Sequence, residues 1–523
     1  MRSISCLSIL CATCISTTSA GQAWLDLTVG PDGYAVGAYD LSCYQLWPMK
    51  VHITSDDKIL ITGQVHAYCN VPLSNDQFFA ARFHPSGAVD STFGTYGIAF
   101  TNPCTSIDQF RGSVILSDGS IILAGYEHWQ FLNDPVNQGA IAKLHPDGTL
   151  DLSYGLEGIR YLNADPDDLY LYCIAATADD KLIVLLRDDN SRTWMCKLDH
   201  DGSYDTTFAN GLVAMEGPYP EFSVGFTAVK LQSDGKIVVV GNQQSANYQA
   251  IRIVGRYLPD GTLDPTFANN GWLAEGPTAL NRYWGNPVID DQDRIRLIGF
   301  RDSMLIQGNR EVVRLMPNGT PDPTFGTNGV ALITEPPSGP SSWENMDLLP
   351  DGRITYCFAH DCKLMTAQGE EISSFGDNGV ATATFPLTNP PHRGRAIAIE
   401  ADGSIIVATN AGQDLNWVRY FTDITTTVPA DQGGPESGSN WSVHPNPFSA
   451  DLFVRDRRSD SSWPVRFDLT QMDGRTLFSQ SNNSVVGGKD LRLDLPIDLA
   501  PGAYLLSIST AHGSTVLPII RSR

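Results

Sequence analysis

The chain has 523 residues, 42% of them hydrophobic and 18% charged, enough to bury a sizeable core and to divide into more than one domain. A formal charge of -23, dispersed along the length, argues against nucleic acid or an anionic membrane surface as a partner of the whole molecule. The 47 Gly and 32 Pro, set among short runs of Val, Ile, Leu and Tyr, are the composition of a turn-rich β protein.

Residues 1–20 carry Arg2, an apolar stretch from Ile4 to Ile15 and small residues up to Ala20. The apolar part is too short to span a bilayer, so the segment reads as a secretory signal cleaved near Ala20, with a buried N-terminal strand as the alternative. No other segment approaches 18 apolar residues, and no transmembrane segment is expected in the mature chain. Seven cysteines follow the leader: Cys43, Cys69, Cys104, Cys173, Cys196, Cys357 and Cys362. The odd count leaves at least one thiol free or paired between chains, and Cys357 and Cys362 either form a local bridge or face different ways on a strand.

From residue 21 to 423 one pattern returns. Its clear copies are ARFHPSGAVDSTFGTYG from Ala81, AKLHPDGTLDLSYGLEG from Ala142, GRYLPDGTLDPTFANNG from Gly255 and VRLMPNGTPDPTFGTNG from Val313; weaker ones start at Cys196 and Cys362. The aromatic positions Phe93, Tyr154, Phe208, Phe267, Phe325 and Phe375 lie 50 to 61 residues apart. A second element, an Asp-Gly-like turn before an apolar strand, interleaves with the first in seven copies, best seen in VKLQSDGKIVVVG from Val229. About 55 to 60 residues hold four short strands, expected at about 225–233, 236–242, 250–258 and 271–275 in the fourth unit. Four-stranded sheets are the blades of propellers, so the expected fold is all-β: a seven-bladed β-propeller, with a linear β-solenoid as the rival. The segment from Trp24 matches the Asp-to-glycine part of the repeat, and the last unit lacks that part. The N-terminal strand is therefore expected to complete the final blade and remove two exposed edges.

A basic residue recurs at one strand position: Arg82, Lys143, Lys197, Arg256, Arg314, Lys363 and Arg419. An Asp stands three before the aromatic at Asp90, Asp151, Asp205, Asp264 and Asp322, with Ile372 the exception and Asp26 in the matching N-terminal place. Symmetric copies point to blade construction, the basic side chain covering the aromatic or pairing with the Asp.

Residues 424–440, rich in Thr, Pro, Gly and Ser, read as a linker. Residues 441–523 carry alternating strands at DLFVRD, VRFDLTQ, LRLDLP and AYLLSIST, then VLPII, and suit a small β-sandwich.

No GxSxG, HExxH, P-loop or dinucleotide fingerprint is present. His84, His145 and His200 sit at a repeat position, whereas His66, His128, His360 and His392 lie off it. His360 beside Asp361 is read as loop composition, since no nucleophile accompanies it. No cofactor is expected; NADPDDLYLY from Asn163 and VIDDQDR from Val288 leave Ca²⁺ as the one metal open, without EF-hand spacing. The variable connections point to Trp129, Trp284, Trp343 and Trp417, with His128, as stacking platforms for a glycan; packing between blades is the alternative.

The body resembles the delta-60 repeat family, of the form DGKIVVAG then RYxPDGxLDxxFGxxG, which implies a propeller and no defined chemistry. Pro445, Asn446, Pro447 and Phe448, then Asp473, Gly474 and Arg475, then Gly502 and Tyr504 resemble the type A C-terminal sorting domain of the Bacteroidetes type IX secretion system, although the chain ends in Arg rather than a Lys-rich tail. That resemblance implies recognition at the outer membrane by the type IX machinery and release or anchoring at the cell surface. The expected function is a secreted or surface binding module for a glycan or protein, more a binder than an enzyme. The alternative is a polysaccharide or peptide hydrolase or lyase acting at the channel mouth.

Overall fold

A computed structural model describes residues 25–26, 29, 34–37, 44–67, 77–101, 107–128, 137–162, 169–244, 250–276, 284–300, 310–334, 345–358, 361–382, 396–411, 414–422, 441–444, 452–456, 462–471, 476–486, 489–496, 499, 502–510 and 513–521. They form an all-β fold of repeated four-strand antiparallel sheets followed by smaller C-terminal sheets. We number the repeated units one to seven in chain order: residues 44–101, 107–162, 169–215, 224–275, 288–333, 345–382, and 396–420 with 34–37. Units two and three join through a parallel bridge, Leu169 with Gln138. In unit four the strands are Val224–Leu231, Ile237–Gln244, Ala250–Tyr257 and Trp272–Glu275, each within two residues of the sequence expectation.

The fourth strand of unit seven comes from the other end of the chain. Tyr34–Gly37 pairs antiparallel with Asp414–Tyr420, Leu25 bridges Tyr420, and the Asp26 amide donates to the Arg419 carbonyl at 2.8 Å. Apolar burial is shared between neighbours, as it must be when a lone twisted sheet has two faces to cover. One cluster joins Phe78 and Phe93 of unit one to Leu123 and Leu144 of unit two. Comparable clusters link each later pair, and Phe83 of unit one packs with Trp417 of unit seven. The first strands of successive units touch in order, and the seventh touches the first.

The glycine closing the second strand has a mechanical role. The first strand bulges between Phe226 and Ala228, and a Cβ on Gly241 would lie 2.2 Å from the Gly225 carbonyl oxygen. Gly63 and Gly125 face the matching bulges of units one and two.

At the C-terminus, Trp441–His444, Leu452–Asp456 and Asp490–Leu493 form one sheet. Thr476–Val486, Ser462–Gln471, Gly502–Thr510 and Gly513–Arg521 form the other. Leu452, Val454 and Leu493 of the first share a core with Phe467, Leu506 and Ile508 of the second. Thr476–Val486, which is not among the strands read from the sequence, is an 11-residue strand. It sits at a sheet edge, where a polar run such as SQSNNS is tolerated and masks the alternation that marks inner strands. Among the described residues no helix is long and apolar enough to cross a membrane.

Candidate functional site

The repeated basic residue and Asp form a staple between sheets. Arg314 donates from Nε to Asp322 Oδ2 at 2.8 Å, from Nη2 to Thr324 Oγ1 at 2.8 Å, and from Nη1 to the Ala367 carbonyl of the next unit at 2.6 Å. Its guanidinium carbon lies 4.8 Å from the Phe325 ring centre. Arg82 repeats this with Asp90, Phe93 and the Pro146 carbonyl, and Arg256 with Asp264, Phe267 and the Pro317 carbonyl. Arg419 bonds Asp26, Glu400 and the Pro85 carbonyl of unit one, tying last sheet to first. The aromatic ring in turn packs on the next unit's turn: a Cβ on Gly319, at φ +84°, would lie 2.6 Å from the Phe267 ring.

The lysine versions vary. Lys143 lies 3.5 Å from Asp151 and 6.0 Å from the Tyr154 ring centre. Lys197 leaves Asp205 to Lys181, at 2.8 Å. In unit six, where Ile372 replaces the Asp, Lys363 instead reaches Glu371 at 2.7 Å, and the Tyr356 hydroxyl donates to the same carboxylate at 2.6 Å. Burial favours the neutral form of Asp90, Asp264 and Asp322, but hydrogen bonds from the adjacent Thr and from the cations outweigh it and hold these carboxyls below their usual range. For Asp151 the Ser153 hydroxyl, and for Asp205 the Lys181 ammonium, do the same most strongly.

With those groups engaged in construction, a different set stands on and beside the first strands. Bulges at equivalent places in units one to four re-aim Met49, Arg111, Tyr172 and Thr227. Arg111 lies against two mutually stacked rings, 5.1 Å from the Tyr126 centre and 5.0 Å from that of Tyr172, which are 6.2 Å apart, and its Nη2 donates to the Tyr126 hydroxyl at 3.1 Å. Tyr126 also meets Tyr170 edge-on at 5.2 Å, and the Tyr170 hydroxyl donates to exposed Asp189 at 2.6 Å. Arg111 Nε has no hydrogen-bond partner among the described residues. All four side chains are half-buried, so each presents surface to solvent.

Towards the hairpin ends of the first strands stand Lys50 and His52 in unit one, Lys230 in unit four and Asp347 in unit six. Burial, then the charge of Lys230, lowers Lys50 to about 8. Burial and then Lys50 and Lys230 lower His52 to about 3, so it is neutral. Its Nε2 lies 2.7 Å from Ser113 Oγ, itself 2.7 Å from Thr62 Oγ1. Burial raises the Asp347 carboxyl against the opposing pull of Lys230 and Lys50.

Two of the tryptophans expected as platforms are core residues. Trp417 is fully buried, its ring edge-on to Phe83 at 6.2 Å, because its strand lies between two others and its inner face meets unit one. Trp284 is 3% exposed under Arg252, whose guanidinium carbon lies 3.7 Å from the ring centre. Neither offers a face to a ligand. Trp129 and Trp343 lie outside the described residues, as does the side chain of His128, which ends the strand Ile121–His128. A cleft of about 740 Å³ lies beside Arg252, Glu275, Glu311 and Leu332. Arg252 is paired there with both glutamates, and the second carboxylate leaves the cleft negative. No group of three or more His, Cys, Asp or Glu suited to a metal occurs among the described residues. Of the sorting positions, Pro445, Asn446, Pro447, Phe448, Asp473, Gly474 and Arg475 lie outside the described residues; Gly502 opens a strand and Tyr504 is buried in the core. Cys357 and Cys362 are disulfide-bonded across neighbouring strands, and Cys173 and Cys196 are free and buried.

A family model described as a domain of unknown function (DUF5122) beta-propeller matches residues 54–93, 116–154, 232–267 and 306–325. The fold is weakly similar, at 10% identity and a TM-score of 0.38, to PorZ, a surface component of the type-IX secretion system of Porphyromonas gingivalis. That similarity covers 92% of this chain and 59% of PorZ, so the chain spans less than two thirds of its length. A protein of unknown function from Dyadobacter fermentans matches at 12% identity and a TM-score of 0.41, over 65% of this chain and 95% of that one. The polysaccharide lyase Uly1 matches at 10% identity and a TM-score of 0.41, over 76% and 97%. No curated protein matches the chain.

Proposed function

We propose that the chain is a secreted or surface-displayed seven-bladed β-propeller of delta-60 type, addressed to the type IX system by a C-terminal sorting domain, and that it acts as a binding module. The ligand is held at the first strands by Arg111, Tyr126, Tyr170 and Tyr172. One observation carries this reading. The repeat's own arginines are engaged in stitching sheets, whereas half-buried Arg111 sits on a bulge against two stacked, half-buried tyrosines, with no carboxylate partner found among the described residues. Amphipathic rings beside a guanidinium suit the face and hydroxyls of a sugar.

A second reading, a hydrolase or lyase, rests on the contact between His52 and Ser113. Held neutral with a value near 3, His52 is a weak base at neutral pH, and the contact serves better as a clip between units one and two. A glycan-array screen of the full chain, with product analysis of every bound ligand, separates the two. Binding without turnover is expected. Turnover would replace the binding reading with the enzymatic one, and an array with no bound glycan would remove the sugar-binding proposal.

A further inference from the structure

The sign of the charge between the first strands is opposite to that of the molecule. The chain carries -23 overall, yet the described side chains of those strands contribute three cations, Lys50, Arg111 and Lys230, against one carboxylate, Asp347. These groups come from different sheets and converge. Lys50 of unit one is within electrostatic reach of Lys230 of unit four, Asp347 of unit six and Cys173 of unit three, and Cys173 is also within reach of Arg111 of unit two. Elsewhere the strand cations Arg82, Arg252, Arg256, Arg314, Lys363 and Arg419 each have a carboxylate within 4 Å. No such pair is found among the described residues for Lys50, Arg111 or Lys230, nor for Arg160, Arg187 and Lys197, which lie on later strands of their units and do not join this group. Gathering like charges in a confined, partly desolvated space costs free energy that an anionic occupant offsets.

We propose, building on the binding-module reading, that the ligand is a short acidic oligosaccharide whose carboxylate or sulfate groups enter between the first strands and are received by Lys50 and Lys230, with a sugar ring against Arg111 and its tyrosines. The negative exterior repels a long polyanion, so a short segment or chain end is favoured. Lys50 is faced by Lys230, Asp347, Cys173 and neutral His52, and it loses its proton as pH rises past about 8. Affinity therefore falls above that pH.

The test is calorimetric titration of the full chain with trigalacturonate, its fully methyl-esterified form and a monosulfated lactose. It is repeated on Lys50→Met and Lys230→Gln, with circular dichroism to show that each variant folds; Lys230 is exposed, so its replacement leaves packing untouched. Trigalacturonate or the sulfated sugar should bind at least tenfold tighter than the ester, and each variant should lose fivefold or more. A preference for one anion identifies carboxylate or sulfate as the group received. Equal binding of the ester, or full affinity in both variants, overturns the charge inference while leaving a sugar-binding module intact. Failure of all three sugars also overturns it, and the array then decides separately whether the binding reading survives.

Discussion

Replacing Arg314 by Met tests whether the repeat is built on its staple. The wild-type side chain is 3% exposed and makes three hydrogen bonds, to Asp322, Thr324 and the Ala367 carbonyl of the next unit. Its loss strands Asp322, 2% exposed, as an uncompensated buried charge. Removing one partner of such a pair costs roughly 3–5 kcal/mol, a large share of a typical total stability of about 5–15 kcal/mol. Lys197 supplies an internal control. It occupies the same repeat position, but its Asp205 is held by Lys181, so Lys197→Met should cost under about 1 kcal/mol. Urea unfolding of the full chain, followed by tryptophan fluorescence, compares the two midpoints. The pair Arg314→Met with Asp322→Leu should recover much of the loss, because the orphaned charge disappears. Equal midpoints for Arg314→Met and Lys197→Met would show that the Arg314 staple does not hold the sheets together.

The staple carboxylates also fix a pH limit. Asp90, Asp151, Asp205, Asp264 and Asp322 are all depressed in the folded state, so their stabilisation is present above the unfolded value of about 3.9 and is lost as pH falls below it. The melting temperature should drop steeply below about pH 4; a flat profile to pH 3 would contradict this. Exchanging Cys357 and Cys362 for Ser opens a bridge of sequence separation 5 and should cost about 2 kcal/mol, read as a lower urea midpoint. Gly241→Ala would push a methyl against the Gly225 carbonyl and should destabilise by about 1 kcal/mol or more, whereas a neutral result would mean that the bulge is not fixed by that close approach.

Periodic features were legible in the sequence because each is repeated. The Asp-Gly turns, the staple residues and the strand positions of unit four recur at fixed offsets, and the truncated first and last copies point to the pairing of Tyr34–Gly37 with Asp414–Tyr420. The proposed binding groups are what the repeat does not share. Arg111 and Tyr172 owe their placement to bulges that no spacing rule reveals. A signal for the lysine group did exist. Five residues before the last turn residue, His52, Lys230 and Asp347 occupy a column that elsewhere holds Val114, Ala175, Val288 and Ala398. For Trp284 and Trp417 the platform expectation failed because a large ring near a variable connection packs as readily between sheets as at a rim. Trp47 and Trp194, which stay half-buried, escaped notice.

The most direct measurement is the dissociation constant of the tightest array ligand for the wild-type chain, Arg111→Met and Tyr172→Ala, taken alongside their melting temperatures. A loss of tenfold or more is expected in each variant, equivalent to about 1.4 kcal/mol or more. The melting temperature should be unchanged for Arg111→Met, with a lowered but still cooperative transition for Tyr172→Ala, whose ring packs against the core of units three and four. Wild-type affinity in both variants would contradict the assignment of the ligand to the first strands.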